Sequence, residues 1–322
     1  MTEPKPDLYD ENATSKGMLR ATIILGRPEP TDAQTEILET LLASRPGWVL
    51  ETIGDEWPPD ELARAALEAG AEMLVAAGGD GTVSAVAGVL AAAESEVPMA
   101  ILPFGTANDF ARTIGVLAMD EALAALDAAD EHAMDIIRVR SVDGDERFVL
   151  NVANGGLAWD IGDSLDGEKK GRWGALAYAR GALDVLASRV VHQVAIQVDE
   201  EPAQRREVLT VAVSSGRTCG GGLMIAPTAD PEDGVLEVTL LGDVPPATAA
   251  ALATRMRLGA VPVDDSLERF LGKQVTIDSD PPMRFVLDGE LVPESQVTFS
   301  IVPNAVRIWV GAGYRREPSI PD

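Results

Sequence analysis

Met73-Leu-Val-Ala-Ala-Gly-Gly-Asp-Gly-Thr82 is the stretch on which the reading of this chain turns. Met73–Ala77 is a short apolar run with the character of a buried strand. Gly78-Gly79-Asp80-Gly81-Thr82 follows at once, and Val83–Ala93 reads as a helix. Glycines between a strand and a helix let the backbone come close to a ligand. The helix start offers unpaired N–H groups and the positive end of its dipole, both suited to phosphate. Asp80, inside the turn, is placed to position a Mg²⁺ ion or a reacting hydroxyl. The same residues also make a serviceable tight turn. They match neither the P-loop nor the Gly-x-Gly-x-x-Gly fingerprint.

Working outward, strand and helix signals alternate. Ala21–Leu25 is β-branched and apolar, and Thr31–Ala43 carries a helical stripe of Ile37, Leu38, Leu41 and Leu42, with Thr31 and Asp32 as caps. Trp48–Ile53 reads as a strand. Pro58, Pro59 and Asp60 open a helix that Gly70 stops. Met99–Leu102 is a further strand, and Glu121–Ala129 an Ala-rich helix. This order predicts an α/β domain with a mostly parallel sheet covered by helices. Leu102-Pro-Phe-Gly-Thr-Ala-Asn-Asp-Phe-Ala-Arg112 repeats the strand–loop–helix theme, with Thr106 able to cap and Asn108, Asp109 and Arg112 as polar tips. It also reads as a plain capped helix start. Two such loops at successive strand ends mark the crevice where open parallel sheets bind ligands.

Beyond Asp135 strand signals take over: Ile136–Arg140, Arg147–Val152, Gln193–Val198, Val208–Ser214, Val235–Leu241, Gln274–Ile277, Arg284–Leu287 and Gln296–Ile301. A helix at Trp173–Ser188 interrupts them. The pattern predicts a β-rich antiparallel sandwich. The expected organisation is a disordered tail over 1–17, a nucleotide-binding α/β domain over 18–138 to which 301–322 return, and a β-rich domain over 139–300.

Composition narrows the function. In 322 residues there are 52 Asp and Glu against 26 Lys and Arg, a net charge of −26. Such a surface repels nucleic acid. With the lone Cys219 and only His132 and His192, neither a disulfide, a Cys-based zinc site nor a His-rich metal site is available. The single thiol points to a reducing compartment. The uncharged stretch Gly81–Ala93, closed by Asp80 and Glu94, falls short of a bilayer span. The acidic N-terminus has no apolar core of a secretory signal.

Gly78-Gly-Asp-Gly-Thr82 and Gly105-Thr-Ala-Asn-Asp-Phe-Ala-Arg112, taken together, resemble the diacylglycerol kinase catalytic-domain family, which includes bacterial lipid kinases and the sphingosine and ceramide kinases. The resemblance continues in order through Met134-Asp-Ile-Ile137, Asn151-Val-Ala-Asn-Gly-Gly156, Lys169-Lys-Gly-Arg-Trp-Gly174, Gly220-Gly-Gly222, Ala226-Pro227, Asp233-Gly-Val-Leu236 and Leu287-Asp-Gly-Glu290. It covers about 20 to 311. Gly-Gly-Asp-Gly-Thr alone is shared with NAD kinases; the Gly-Thr-x-Asn-Asp and Asp-Gly-Glu motifs select the lipid kinases. One departure stands out. Where the family carries Asn-Pro-x-x-Gly, this chain reads Leu25-Gly-Arg-Pro-Glu-Pro30, with Arg27 as the substitute phosphate contact.

The resemblance implies an NAD kinase/diacylglycerol kinase-like fold, ATP and Mg²⁺ as cofactors, and phosphoryl transfer to a lipid hydroxyl in a cleft between the domains. Glu290 is then the general base, and Asp80 orients the nucleophile or holds catalytic Mg²⁺. Gly79, Gly81, Thr82, Thr106 and Arg27 line the nucleotide phosphates, and Arg112, Lys169 and Lys170 contact phosphate or substrate. Asp80, Asp109 and Asp135 form an acidic network around the metal, and Asp233 with Asp230 a second, structural Mg²⁺ site. The expected partners are a lipid substrate, transient peripheral contact with a membrane through Lys169, Lys170, Arg172 and Trp173, and a homodimer as one allowed assembly. The expected location is cytoplasmic, peripheral to the membrane. Two other readings stay open: NAD kinase-like transfer to a soluble substrate, and a nucleotide- or lipid-binding regulator with impaired catalysis.

Overall fold

The computed structural model of the chain describes residues 19–54, 57–156, 190–260, 264–287 and 290–316, the side chains of 290–295 excepted. The chain divides into two compact units, Met1–Ile136 with Asn304–Arg315, and Ile137–Pro303 with Arg316–Asp322.

In the first unit β1 (Ala21–Leu25), α1 (Asp32–Ser44), β2 (Trp48–Thr52), α2 (Pro59–Glu68), β3 (Met73–Gly78), α3 (Asp80–Ala92), β4 (Met99–Pro103), α4 (Asp109–Thr113) and α5 (Met119–Ala128) follow one another. β1 pairs parallel with β2 and with β3, and β3 pairs parallel with β4. The end of the long β15 (Glu290–Trp309) adds a further parallel partner, Ile308 opposite Met99. Every residue of β1 and β3 is buried, the pattern of strands covered on both faces. That is why these strands read as unbroken apolar runs. Thr31 and Gln34 close a reciprocal capping box at the start of α1, the Thr31 amide donating to Gln34 Oε1 at 3.0 Å. Pro59 opens α2.

The second unit is antiparallel. After β5 (Glu131–Ser141), through which the chain enters it, come β6 (Glu146–Val149), β7 (Val152–Gly156), β8 (His192–Val198), β9 (Gln204–Ser214), β10 (Thr218–Cys219), β11 (Leu223–Met224), β12 (Leu236–Gly242), α6 (Pro246–Arg257), β13 (Leu267–Gly272) and β14 (Gln274–Leu287). The strand order is β13-β12-β9-β7-β14-β15, and β8 pairs with both β14 and β9. One face buries Ile137, Val211, Val238, Ile277, Phe285 and Phe299 in a common core. Phe285 and Phe299 meet there at 5.2 Å between ring centroids. Phe285 is fully buried, so Phe285→Ala is expected to destabilise the chain by about 3–5 kcal/mol, read by denaturant unfolding.

Several sequence expectations change. Gln274–Ile277 and Arg284–Leu287 are one strand, β14, with a register shift between Asp278 and Met283. Pro281 and Pro282 read as a break in sequence, but proline is accommodated where a bulge frees the amide. Gln296–Ile301 is likewise only part of β15. α6 was not anticipated: its Ala-rich sequence has little amphipathic contrast. The expected helix Trp173–Ser188 lies outside the described residues. Among the described residues no helix is long and apolar enough to cross a membrane.

Candidate active site

The first unit brings three loops together at the carboxyl ends of β1, β3 and β4. The β3 loop and the β4 loop cross glycine on glycine. The Gly105 amide donates to the Gly78 carbonyl at 3.1 Å. A Cβ built on Gly105 would stand 2.3 Å from Gly79 Cα and 2.6 Å from Asn108 Oδ1. No side chain fits at that crossing.

Asn108 shapes the second loop. It adopts the left-handed conformation, φ 49° and ψ 48°, at the residue before α4. Its side-chain amide donates to the carbonyls of Pro103 at 3.1 Å and Gly105 at 2.9 Å. Asparagine tolerates this backbone better than most residues and satisfies the turn's own carbonyls. Sequence reading singled out Asn108 as a polar tip; it is a buried turn-former.

Asp80, the first residue of α3, reaches across to the second loop. Its Oδ1 accepts the Asp109 amide at 2.7 Å and the Phe110 amide at 3.3 Å. A carboxylate from one loop therefore holds the helix start of the other. Burial raises the Asp80 pKa above its usual value, and the nearby Asp109 carboxylate raises it further, while the backbone amides pull it down. Asp109 is itself buried. No arginine or lysine pairs with Asp80 among the described residues.

The first loop joins through Gly26 and Arg27. Thr82 lies over Gly26 and Gly78, its Oγ1 within 1.9 Å and 2.4 Å of the Cβ positions those glycines lack. Thr82 is thus buried among glycine backbone, whereas Gly81 and Thr106 are exposed. The Arg27 guanidinium donates to the Phe104 carbonyl at 3.0 Å and to Gln34 Oε1 at 3.4 Å, so it links the β1 loop to the β4 loop and to α1. Arg112 is exposed on α4, and its guanidinium has no hydrogen-bonded or charged partner among the described residues.

The remaining acidic candidates are placed differently. Asp135 is almost fully buried and accepts the Asn304 amide at 2.8 Å, fastening β15 to β5. In the second unit Asp230 Oδ1 accepts the Glu232 amide at 3.0 Å, and Asp233 Oδ1 accepts the Val235 amide at 2.9 Å. The Arg316 guanidinium stands 3.6 Å from Asp230 and 3.9 Å from Glu232. Among the described residues no three His, Cys, Asp or Glu side chains group to hold a metal ion. Of the three expected carboxylates, Asp80 and Asp109 are neighbours, and Asp135 accepts the Asn304 amide. At Asp230 and Asp233, where a structural Mg²⁺ was expected, each carboxylate accepts one backbone amide, and the Arg316 guanidinium approaches Asp230. Arg316 lies 86 positions from Asp230, and no local pattern announces the pairing. Asp80 with Asp109 does fit Mg²⁺, which is commonly held by one or two carboxylates with water and phosphate oxygens completing its shell.

Glu290 opens β15 with its backbone opposite Leu287. Its side chain, and all of Lys169 and Lys170, lie outside the described residues.

Residues 32–139 match the diacylglycerol kinase catalytic domain, and residues 165–310 match the YegS C-terminal NAD kinase beta sandwich-like domain. A probable lipid kinase YegS-like protein of Stenotrophomonas maltophilia is 34% identical over 254 residues, covering 77% of this chain and 82% of that relative. A counterpart in Pseudomonas aeruginosa is 34% identical over 260 residues, covering 80% and 83%. Among solved structures, a diacylglycerol kinase from Bacillus anthracis aligns with a TM-score of 0.73 at 20% identity over 93% of this chain and 99% of that one. An NAD kinase from Archaeoglobus fulgidus in complex with ATP aligns with a TM-score of 0.51 at 16% identity, covering 91% and 94%. These likenesses show a diacylglycerol kinase/NAD kinase-like fold with a C-terminal beta sandwich-like domain. On two matched domains and relatives one-third identical over four-fifths of its length, the chain belongs to the YegS-like family of probable lipid kinases.

Proposed function

We propose that this chain transfers the γ-phosphoryl group of ATP to the hydroxyl of a diacylglycerol-like lipid. The observation that carries the reading is the Asp80 carboxylate: half-buried, beside Asp109, with no arginine or lysine partner among the described residues, and bonded to the start of α4 across a glycine-on-glycine crossing. A desolvated carboxylate pair calls for positive charge, and phosphoryl transfer is mostly positioning and charge neutralisation.

Asp80 and Asp109 would hold Mg²⁺, which when bound offsets the charge of the nucleotide phosphates. Gly79, Gly81 and Thr106 let the triphosphate approach backbone, and Arg112 supplies an exposed guanidinium. Thr82 and Arg27 act chiefly by holding the three loops in register. Glu290 takes the proton from the lipid hydroxyl, a poor nucleophile at neutral pH. Lys169 and Lys170 meet the phosphates or the lipid headgroup.

The test is ADP release over dispersed diacylglycerol, phosphatidylglycerol, monoacylglycerol, sphingosine and NAD. Turnover on one of the lipids is expected, and Glu290→Ala is expected to lower it about 10³-fold with folding unchanged. Turnover on NAD, with none on any lipid, would replace this reading with the NAD kinase-like one.

A further inference from the structure

Resting on the lipid kinase reading, we propose that the C-terminal end of α6, Arg255, Arg257 and Leu258, is a docking surface for an anionic lipid bilayer. The chain carries 52 acidic residues in 322, so one falls on average about every six positions. Yet Val244 to Val263 contains none, while holding two arginines. Other acid-free stretches of the second unit, such as 208–229, run through buried strand. Here the acid-free stretch includes an exposed helix. Of the helices among the described residues, α6 alone has neither Asp nor Glu; α1, α2 and α5 each carry at least two. Ala249, Leu252 and Met256 turn inward, leaving alanines and Thr254 on the outer face.

At the end of that face stands Leu258, 82% exposed, the most exposed large apolar side chain among the described residues. A leucine in water beside two guanidinium groups is the pattern of interfacial binding: the charges meet lipid phosphates and the apolar side chain enters the headgroup boundary. Arg257 is held at the β10–β11 turn by donating to the Gly220 carbonyl at 3.2 Å, which fixes it near Leu258. The carboxylate coupled to Arg255 is Asp264, and that group is itself engaged by the Ser266 amide at 3.0 Å and the Ser266 hydroxyl at 2.5 Å. A chain of net charge −26 is repelled by anionic membranes, so any approach must be through a region from which acid is missing. A protein partner with an acidic apolar groove, or a second copy of the chain, would leave a different signature in the test.

The experiment is co-sedimentation of the full-length chain with vesicles of phosphatidylcholine alone and of phosphatidylcholine mixed with phosphatidylglycerol, with light scattering of the same samples without lipid. The expected result is binding to the mixed vesicles only, weakened by added salt. Arg255→Gln with Arg257→Gln is expected to lower partitioning about 25-fold, from about fivefold for each charge. Leu258→Asp, at a side chain that is mostly in water, is expected to lower it at least about tenfold. Both variants keep turnover on a short-chain, monomeric acceptor. Vesicle binding needs no catalysis, so an inactive but vesicle-binding chain would reject the kinase reading and leave the docking surface standing. Absent binding to the mixed vesicles, unchanged partitioning in both variants, or a Leu258→Asp effect confined to oligomeric mass would overturn the proposal.

Discussion

Asp80→Asn is expected to abolish turnover, by about 10³-fold, and at the same time to raise the melting temperature at neutral pH. The substitution keeps the shape. An asparagine Oδ1 accepts the amides of Asp109 and Phe110 as the carboxylate does, so the lock between the loops survives. What goes is the charge, and with it the group proposed to hold Mg²⁺. In the wild type that charge is unfavourable: burial and the Asp109 carboxylate both raise the pKa above 3.8. A raised carboxylate pKa means that the fold prefers the neutral form. Below about 3.8 the group is neutral in both folded and unfolded chains and contributes no penalty. As pH climbs through the interval up to the raised value, the unfolded chain ionises first and stability is lost; above the folded pKa the loss is complete. Asp80→Asn removes that loss, so its gain is present at pH 7 and vanishes toward pH 3. Each kcal/mol gained raises the melting temperature by roughly 2–4 °C. Thermal unfolding of both proteins across pH reads the effect. A variant less stable than wild type at pH 7, or one that still turns over, would remove Asp80 from its assigned place.

That opposition between stability and proposed use also explains which parts of the molecule the sequence could disclose. β1, β3 and β4 are buried on both faces, so their backbone requires consecutive apolar side chains, and Ala21–Leu25, Met73–Ala77 and Met99–Leu102 read as strands directly. β5 begins five residues earlier than its apolar signal, because Glu131 and His132 lie toward solvent where polarity is allowed. β14 hid behind two prolines, and α6 behind alanines that carry neither stripe nor cap. The loops were visible for a similar reason: the β3 and β4 loops cross backbone on backbone, and Thr82 fills the space beside Gly26 and Gly78, so only glycine fits at those positions. The hydrogen bonds that lock them were not. Asp80 finds the Asp109 amide 29 positions away, and Arg27 finds the Phe104 carbonyl 77 positions away. Nothing in the local sequence distinguishes an arginine that will bind a carbonyl of another loop from one that will meet a phosphate. The same holds for Arg316 beside Asp230, a contact across 86 positions.

Gly105→Ala is expected to be the most damaging methyl that can be added to the site. The new Cβ would lie 2.3 Å from Gly79 Cα, a backbone atom that cannot rotate away, and 2.6 Å from Asn108 Oδ1. Relief requires the β4 loop to move by about an ångström. That movement strains the Gly105 amide bond to Gly78 and pulls Asp109 and Phe110 from Asp80. Overpacking of this kind costs about 3 kcal/mol, and a misplacement of that size lowers turnover about 100-fold. Two other glycines separate the causes. Gly54 has nothing within 4 Å of its missing Cβ and no positive φ, so Gly54→Ala should leave stability within about 0.5 kcal/mol of wild type. Gly144 also has open space, but its φ is +91°, so Gly144→Ala carries backbone strain alone, about 1–2 kcal/mol. Denaturant unfolding should rank the three as Gly54→Ala, Gly144→Ala and Gly105→Ala in increasing loss. Of them only Gly105→Ala is expected to lose phosphoryl transfer beyond its loss of folded protein, because only there does the methyl push on the lock between Asp80 and α4. If Gly105→Ala matched Gly54→Ala in both stability and turnover, the crossing of the two loops would have no part in holding the site.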